Sequence, residues 1–122
     1  MPKRILVVED DPDLLRMLKR MLYPLGTVVT ATDGVSALEK LRQDARFDLV
    51  VTDLMMPRMG GMELAAHLKK EPALAQIPVL MLTAKNTPKD VIAGINAGAR
   101  HYITKPFKQQ ELLEKVRRAL GG

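Results

Sequence analysis

Three carboxylates and one ammonium in this sequence stand where they could serve one reaction. Glu9 and Asp10 follow the apolar run Arg4–Val8, and Asp53 follows the run Leu49–Thr52. If the two runs are neighbouring strands, the three carboxylates converge beyond their ends. Two unit charges about 4 Å apart repel by roughly 4 kcal/mol at an effective dielectric near 20, so three carboxylates need a counter-charge. Carboxylate and carbonyl oxygens suit Mg²⁺, which usually keeps several waters and shares ligands with phosphate. Asp11 reads mainly as a helix N-cap, with Pro12 at the first helical position. Thr83 offers a hydroxyl at the end of a later strand, and Lys105 brings a positive charge from the end of the last one. Pro106 fixes the loop behind that lysine, and a cis Lys105–Pro106 bond would aim it inward. Singly, these residues read as solvated loop acids, a turn former and a surface lysine. Together they are the parts for metal-assisted phosphoryl transfer to Asp53, a reaction in which positioning and charge stabilisation do most of the catalysis.

The elements that must position these groups are short apolar runs alternating about five times with amphipathic segments, the pattern of βα units on a parallel sheet. Strands are predicted at Arg4–Val8, Val28–Ala31, Leu49–Thr52, Pro78–Leu82 and His101–Ile103. The first helix carries Leu14, Leu15, Leu18 and Leu22 at core spacing and ends near Pro24 to Gly26. Asp33-Gly34 opens the second helix, with Leu38 and Leu41 inward, and the third carries Leu64, Ala65 and Leu68. Thr87–Asp90 resembles a capping box opening a fourth helix, which contains Gly94 and ends near Gly98. Interior Gly costs about 1 kcal/mol relative to Ala, so that helix is expected to be the weakest. A last helix from about Lys108 to Leu120 turns Leu112, Leu113, Val116 and Leu120 inward. The expected fold class is α/β: a three-layer, doubly wound, five-stranded parallel sheet of order 2-1-3-4-5, flavodoxin-like. Its binding crevice lies beyond the carboxyl ends of strands 1 and 3.

Composition agrees with one domain over residues 1–122, at 47% hydrophobic and 27% charged residues. Without cysteine there are no disulfides or thiolate zinc sites, and the cytoplasm is the default compartment. The apolar run behind Lys3 and Arg4 is too short for a signal peptide or a membrane span. The net charge of +5 comes from dispersed lysines and arginines, and aromatics are 3% of the chain, so direct nucleic-acid binding is not expected.

The sequence resembles the receiver domain of two-component response regulators over essentially all 122 residues. The resemblance is carried by Ile5 to Asp11, by Asp53-Leu54-Met55-Met56-Pro57 with Gly61, by Thr83-Ala84, and by Tyr102 to Phe107. It implies that Asp53 accepts a phosphoryl group from the phosphohistidine of a sensor histidine kinase or phosphotransfer protein. It also implies that Asp10 binds Mg²⁺ directly, that Glu9 assists through water, and that the Met55 backbone carbonyl completes the protein's share of the metal shell. Thr83 and Lys105 hold phosphoryl oxygens, and Tyr102 turns inward as Thr83 moves. Such a chain is a signalling phospho-acceptor rather than an enzyme, although it assists its own phosphorylation and dephosphorylation. Its switched surface is the fourth helix, fifth strand and fifth helix, which addresses a downstream protein or output domain.

Several positions depart from the family pattern. Gly60 stands where many relatives have Asp, Asn or Ser, which predicts a looser loop. Arg100 and His101 replace two acids that support a homodimer on phosphorylation in winged-helix relatives, which argues against that mode of pairing. His101 and His67 read as exposed histidines. Met55 and Lys85 flank the expected path of attacking water and are expected to tune the lifetime of the phosphoryl group. Met55, Met56, Met59 and Met62 read as core and loop packing rather than a partner surface. A flavin-binding reading of the same fold is disfavoured, because Glu9 and Asp10 repel a phosphate unless a cation intervenes. The alternative is a receiver-like interaction scaffold that is never phosphorylated. Two residues follow Leu120, which is expected of either a single-domain regulator or a piece of a longer protein.

Overall fold

The computed structural model describes residues 2–84 and 98–121. The five predicted strands are present as β1 (Arg4–Val8), β2 (Thr27–Ala31), β3 (Leu49–Asp53), β4 (Val79–Thr83) and β5 (His101–Thr104). They form one sheet of order β2-β1-β3-β4-β5, and every pairing is parallel. The helices are α1 (Pro12–Leu22), α2 (Gly34–Gln43), α3 (Gly61–Lys70) and a C-terminal helix (Gln109–Ala119). The expected flavodoxin-like, doubly wound α/β fold is therefore the observed one. The predicted fourth helix, its Thr87–Asp90 capping box and Gly94 lie outside the described residues. Gly98 is described and takes φ +115, a conformation that favours glycine.

Alternation along the strands sorts their side chains into two cores. Leu6, Val8, Val50 and Met81 pack with Leu38, Leu41, Leu64 and Leu68 of α2 and α3. Ile5, Val7, Leu80 and Leu82 pack with Leu18 and Leu22 of α1 and with Leu112 and Val116 of the C-terminal helix. Because both faces are covered, the central strands read as unbroken apolar runs.

Local chemistry sets the helix starts. Asp11 Oδ1 accepts from the amides of Asp13 at 2.9 Å and Leu14 at 3.5 Å, and Pro12 follows in the first turn. Asp33 Oδ1 accepts from the Ser36 amide at 2.8 Å and caps α2. At the amino end of the sheet, Arg4 stacks 4.4 Å over the Phe47 ring and pairs with Asp44 at 2.9 Å. No described helix is long and apolar enough to cross a membrane.

The strand limits differ from the predicted ones by a residue. β2 begins at Thr27, β4 at Val79 after Pro78, and β5 continues to Thr104. Asp53 and Thr83 are the last residues of β3 and β4, with Asp53 opposite Leu82 and Thr83 opposite Thr104. The ladder carries them because its hydrogen bonds persist beyond the apolar run: Leu54 N–H donates to Leu82 O at 3.0 Å and Lys105 N–H to Thr83 O at 2.7 Å.

Candidate metal centre

In strand order 2-1-3-4-5 the connections reverse direction between β1 and β3, which leaves a crevice at their carboxyl ends. Glu9 leaves β1 with its amide still bonded to Ala31 O at 3.0 Å, which fixes it beside the end of β2. Asp10 follows and is exposed. One oxygen from each of Glu9, Asp10 and Asp53 lies within 4.8 Å of the others. Glu9 is 2% exposed and Asp53 9%, so water screens their charges poorly.

Lys105 enters this cluster from β5. Its backbone is tied to the end of β4 through Thr83 O, and the Lys105–Pro106 bond is cis. Its Nζ stands 3.1 Å from Asp53 Oδ1 and 4.0 Å from Glu9 Oε1. Asp53 Oδ1 also accepts from the Leu54 amide at 3.0 Å. One ammonium thus faces three carboxylates. Burial first, and then the adjoining Asp53 carboxyl, push Glu9 up to about 8, while Lys105 opposes the shift. Glu9 Oε2 is buried and has no hydrogen-bond partner among the described residues. A buried oxygen without a donor, beside two further carboxylates, fits a hard divalent cation such as Mg²⁺.

The remaining expected residues take up distinct places. Thr83 is buried at the end of β4, one residue beyond the partner of Asp53. Tyr102 is half-buried against the core beneath α2 and α3, and its carbonyl accepts from Lys115 Nζ at 2.6 Å. Met55 follows β3 in the loop to α3, with its residue 66% exposed. Met56, Met59 and Met62 pack against the core, as a packing role requires. Asp11 stays with its helix cap, and His67 is exposed. His101 is half-buried rather than exposed, because it lies within β5. Burial, Arg100 and Lys115 together hold its imidazole below the ordinary value. Lys85 lies outside the described residues.

The loop between β3 and α3 is close-packed. A Cβ on Gly61 would stand 2.4 Å from Asp53 O, and one on Gly60 would stand 2.7 Å from Leu54 O. Gly60 seats α3 without a side-chain cap. Sequence reasoning missed the ion pair between Arg58 of this loop and Asp33 at 2.8 Å. The residues lie 25 positions apart, and the one signal was the cap role of Asp33.

Comparison with known proteins accords with this arrangement. The family description "response regulator receiver domain" matches residues 5–117. The DNA-binding response regulator MtrA of Mycolicibacterium smegmatis is 42% identical over 121 residues, covering 98% of this chain and 51% of that protein. The chain spans about half the length of several of the curated relatives it matches. A crystal structure of a putative response regulator from Chloroflexus aurantiacus superposes with a TM-score of 0.92 at 33% identity, covering 100% of both chains. The receiver domain of the sensor histidine kinase PA1611 from Pseudomonas aeruginosa, solved with a magnesium ion coordinated in its active-site cleft, superposes with a TM-score of 0.89 at 28% identity, covering 100% of both chains.

Proposed function

The chain belongs to the receiver domain family of two-component response regulators, and on that footing we propose that Asp53 accepts a phosphoryl group from a phosphohistidine in an Mg²⁺-dependent reaction. The observation that carries this reading is the convergence of Glu9, Asp10 and Asp53 within 4.8 Å, with the Lys105 ammonium already 3.1 Å from Asp53.

An Asp53 carboxylate oxygen attacks phosphorus. The P–N bond to the donor imidazole breaks, its electron pair stays on the leaving nitrogen, and the product is an aspartyl phosphate. Lys105 and the Thr83 hydroxyl hold phosphoryl oxygens. Asp10, Asp53 and the Met55 carbonyl would hold Mg²⁺, with Glu9 assisting through water, and the bound ion would offset charge on those oxygens. Hydrolysis returns Asp53 to its carboxylate by attack of water on phosphorus, with Met55 and Lys85 tuning its rate.

The new charge biases a two-state element. Thr83 draws toward the phosphoryl group and Tyr102 turns further inward, reshaping the surface of β5 and the C-terminal helix. The donor is a sensor histidine kinase or phosphotransfer protein, and the reshaped surface addresses a downstream protein or output domain. Amide NMR spectra recorded with Mg²⁺ and then beryllofluoride test this reading. Signals of Asp53, Thr83, Tyr102 and Lys105 are expected to shift in the parent and not in Asp53→Asn. An unchanged parent spectrum contradicts it.

A further inference from the structure

We infer that the Arg58–Asp33 ion pair is a positioning clamp that fixes the loop carrying the Met55 carbonyl and thereby sets the affinity for Mg²⁺. The inference rests on the metal-assisted reading of Asp53 above.

Arg58 takes φ +66, which is uncommon for a residue with a side chain. It centres a γ-turn, closed by the Met59 amide on Pro57 O at 2.8 Å. Such a conformation persists where surrounding contacts over-determine it. Those contacts are present here. Arg58 Nε and Nη2 each stand 2.8 Å from Asp33 Oδ2. Asp33 is itself anchored, because its other oxygen caps α2 through the Ser36 amide and the residue is 7% exposed. The Gly34 amide donates to Met59 O at 3.0 Å, and a Cβ on Gly34 would stand 2.6 Å from that oxygen.

The far end of the loop is therefore fastened to the start of α2. Its near end is fastened to β4 and α3, through Leu54 N–H on Leu82 O at 3.0 Å and Gly61 N–H on Leu54 O at 2.9 Å. Met55 lies between these anchors, and its own exposed side chain does little to hold it. The placement of its carbonyl thus depends on the two fastened ends. Residues that orient a metal ligand from outside its shell commonly change metal affinity when altered.

Calorimetric titration of the full chain with Mg²⁺, paired with thermal melts in EDTA, tests the clamp. Arg58→Ala and Asp33→Asn are expected to raise the Mg²⁺ Kd about tenfold, as for outer-shell partners elsewhere. The double variant should lose no more than either single one, and Arg58→Lys should recover part of the loss. Arg58→Gly relieves the left-handed backbone, so it should melt no lower than Arg58→Ala yet still bind Mg²⁺ more weakly than the parent. A parent that binds Mg²⁺ with all these variants matching it, whatever their melting temperatures, overturns the clamp and leaves the acceptor reading intact. A parent that binds no Mg²⁺ overturns the acceptor reading and the clamp with it.

Discussion

Lys105 Nζ stands 3.1 Å from Asp53 Oδ1 across the crevice, although Asp53 ends β3, Lys105 follows β5, and the two lie 52 positions apart. Lys105→Met removes the described cation within 4.0 Å of this cluster. A hydrogen bond to a charged group contributes about 2 kcal/mol, so urea denaturation in EDTA should show a loss of that size. Mg²⁺ binding should tighten, because a competing positive charge is gone. Unchanged stability together with weaker Mg²⁺ binding would contradict the role given to the lysine.

Thr83 ends β4 beside the acceptor strand and is buried, and in the proposed reaction its hydroxyl holds a phosphoryl oxygen rather than the metal. Thr83→Ala should slow phosphorylation by acetyl phosphate by about a hundredfold, the low end for loss of a preorganised donor. The Mg²⁺ Kd should stay at the parent value. A variant phosphorylated at the parent rate removes Thr83 from the reaction.

Gly61 is required by close approach rather than by backbone freedom. An added Cβ would stand 2.4 Å from Asp53 O, 3.1 Å from Met81 Sδ and 3.2 Å from Thr52 Cγ2. Gly61→Ala must therefore shift either α3 or the acceptor strand, at a cost of about 1–3 kcal/mol typical of overpacking. Chemical denaturation should register that loss, and phosphorylation should slow with it. A variant as stable and reactive as the parent would show that the loop yields freely.

Two groups away from the crevice weaken the fold on acidification, alongside Glu9, whose uptake of a proton below about 8 acts in the opposite sense. Asp33 is held below its ordinary value of 3.8, first by the Ser36 amide and also by Arg58, against the opposing effect of burial. Its ionised form supports the fold above that value, and the support is lost as pH falls through the lower folded value. His101 is held below its ordinary value of 6.5 by burial, Arg100 and Lys115. Its neutral form supports the fold above pH 6.5, and acidification below 6.5 through the folded value removes that support. Each of the two groups should therefore add its own loss of stability on acidification, His101 in the upper window and Asp33 in the lower. His101→Gln should remove the upper loss and Asp33→Asn the lower. An unaltered profile in either variant would contradict the corresponding assignment.

Much of the fold was legible because parallel strands covered on both faces leave unbroken apolar runs, as in Ile5 to Val8 and Leu49 to Val51. The helix cap at Asp11 and the start of the second helix at Asp33-Gly34 were legible from the residues that follow them. The predicted ranges stopped one residue short, at Thr52 and Leu82, because polarity marks the end of an apolar run whereas backbone hydrogen bonding continues through it to Asp53 and Thr83. His101 was misjudged for a related reason: a polar side chain in a short edge strand is half-covered by its neighbours. The Arg58–Asp33 pair was not read from the sequence. It depends on an arginine in a left-handed turn, which its residue type does not announce.

The most direct test of the account is the intact mass of the chain after incubation with acetyl phosphate, in Mg²⁺ and in EDTA. One phosphoryl group is expected on the parent in Mg²⁺, little in EDTA and none on Asp53→Asn. A parent that gains no mass in Mg²⁺, or an Asp53→Asn variant phosphorylated like the parent, would contradict the assignment of Asp53 as the acceptor.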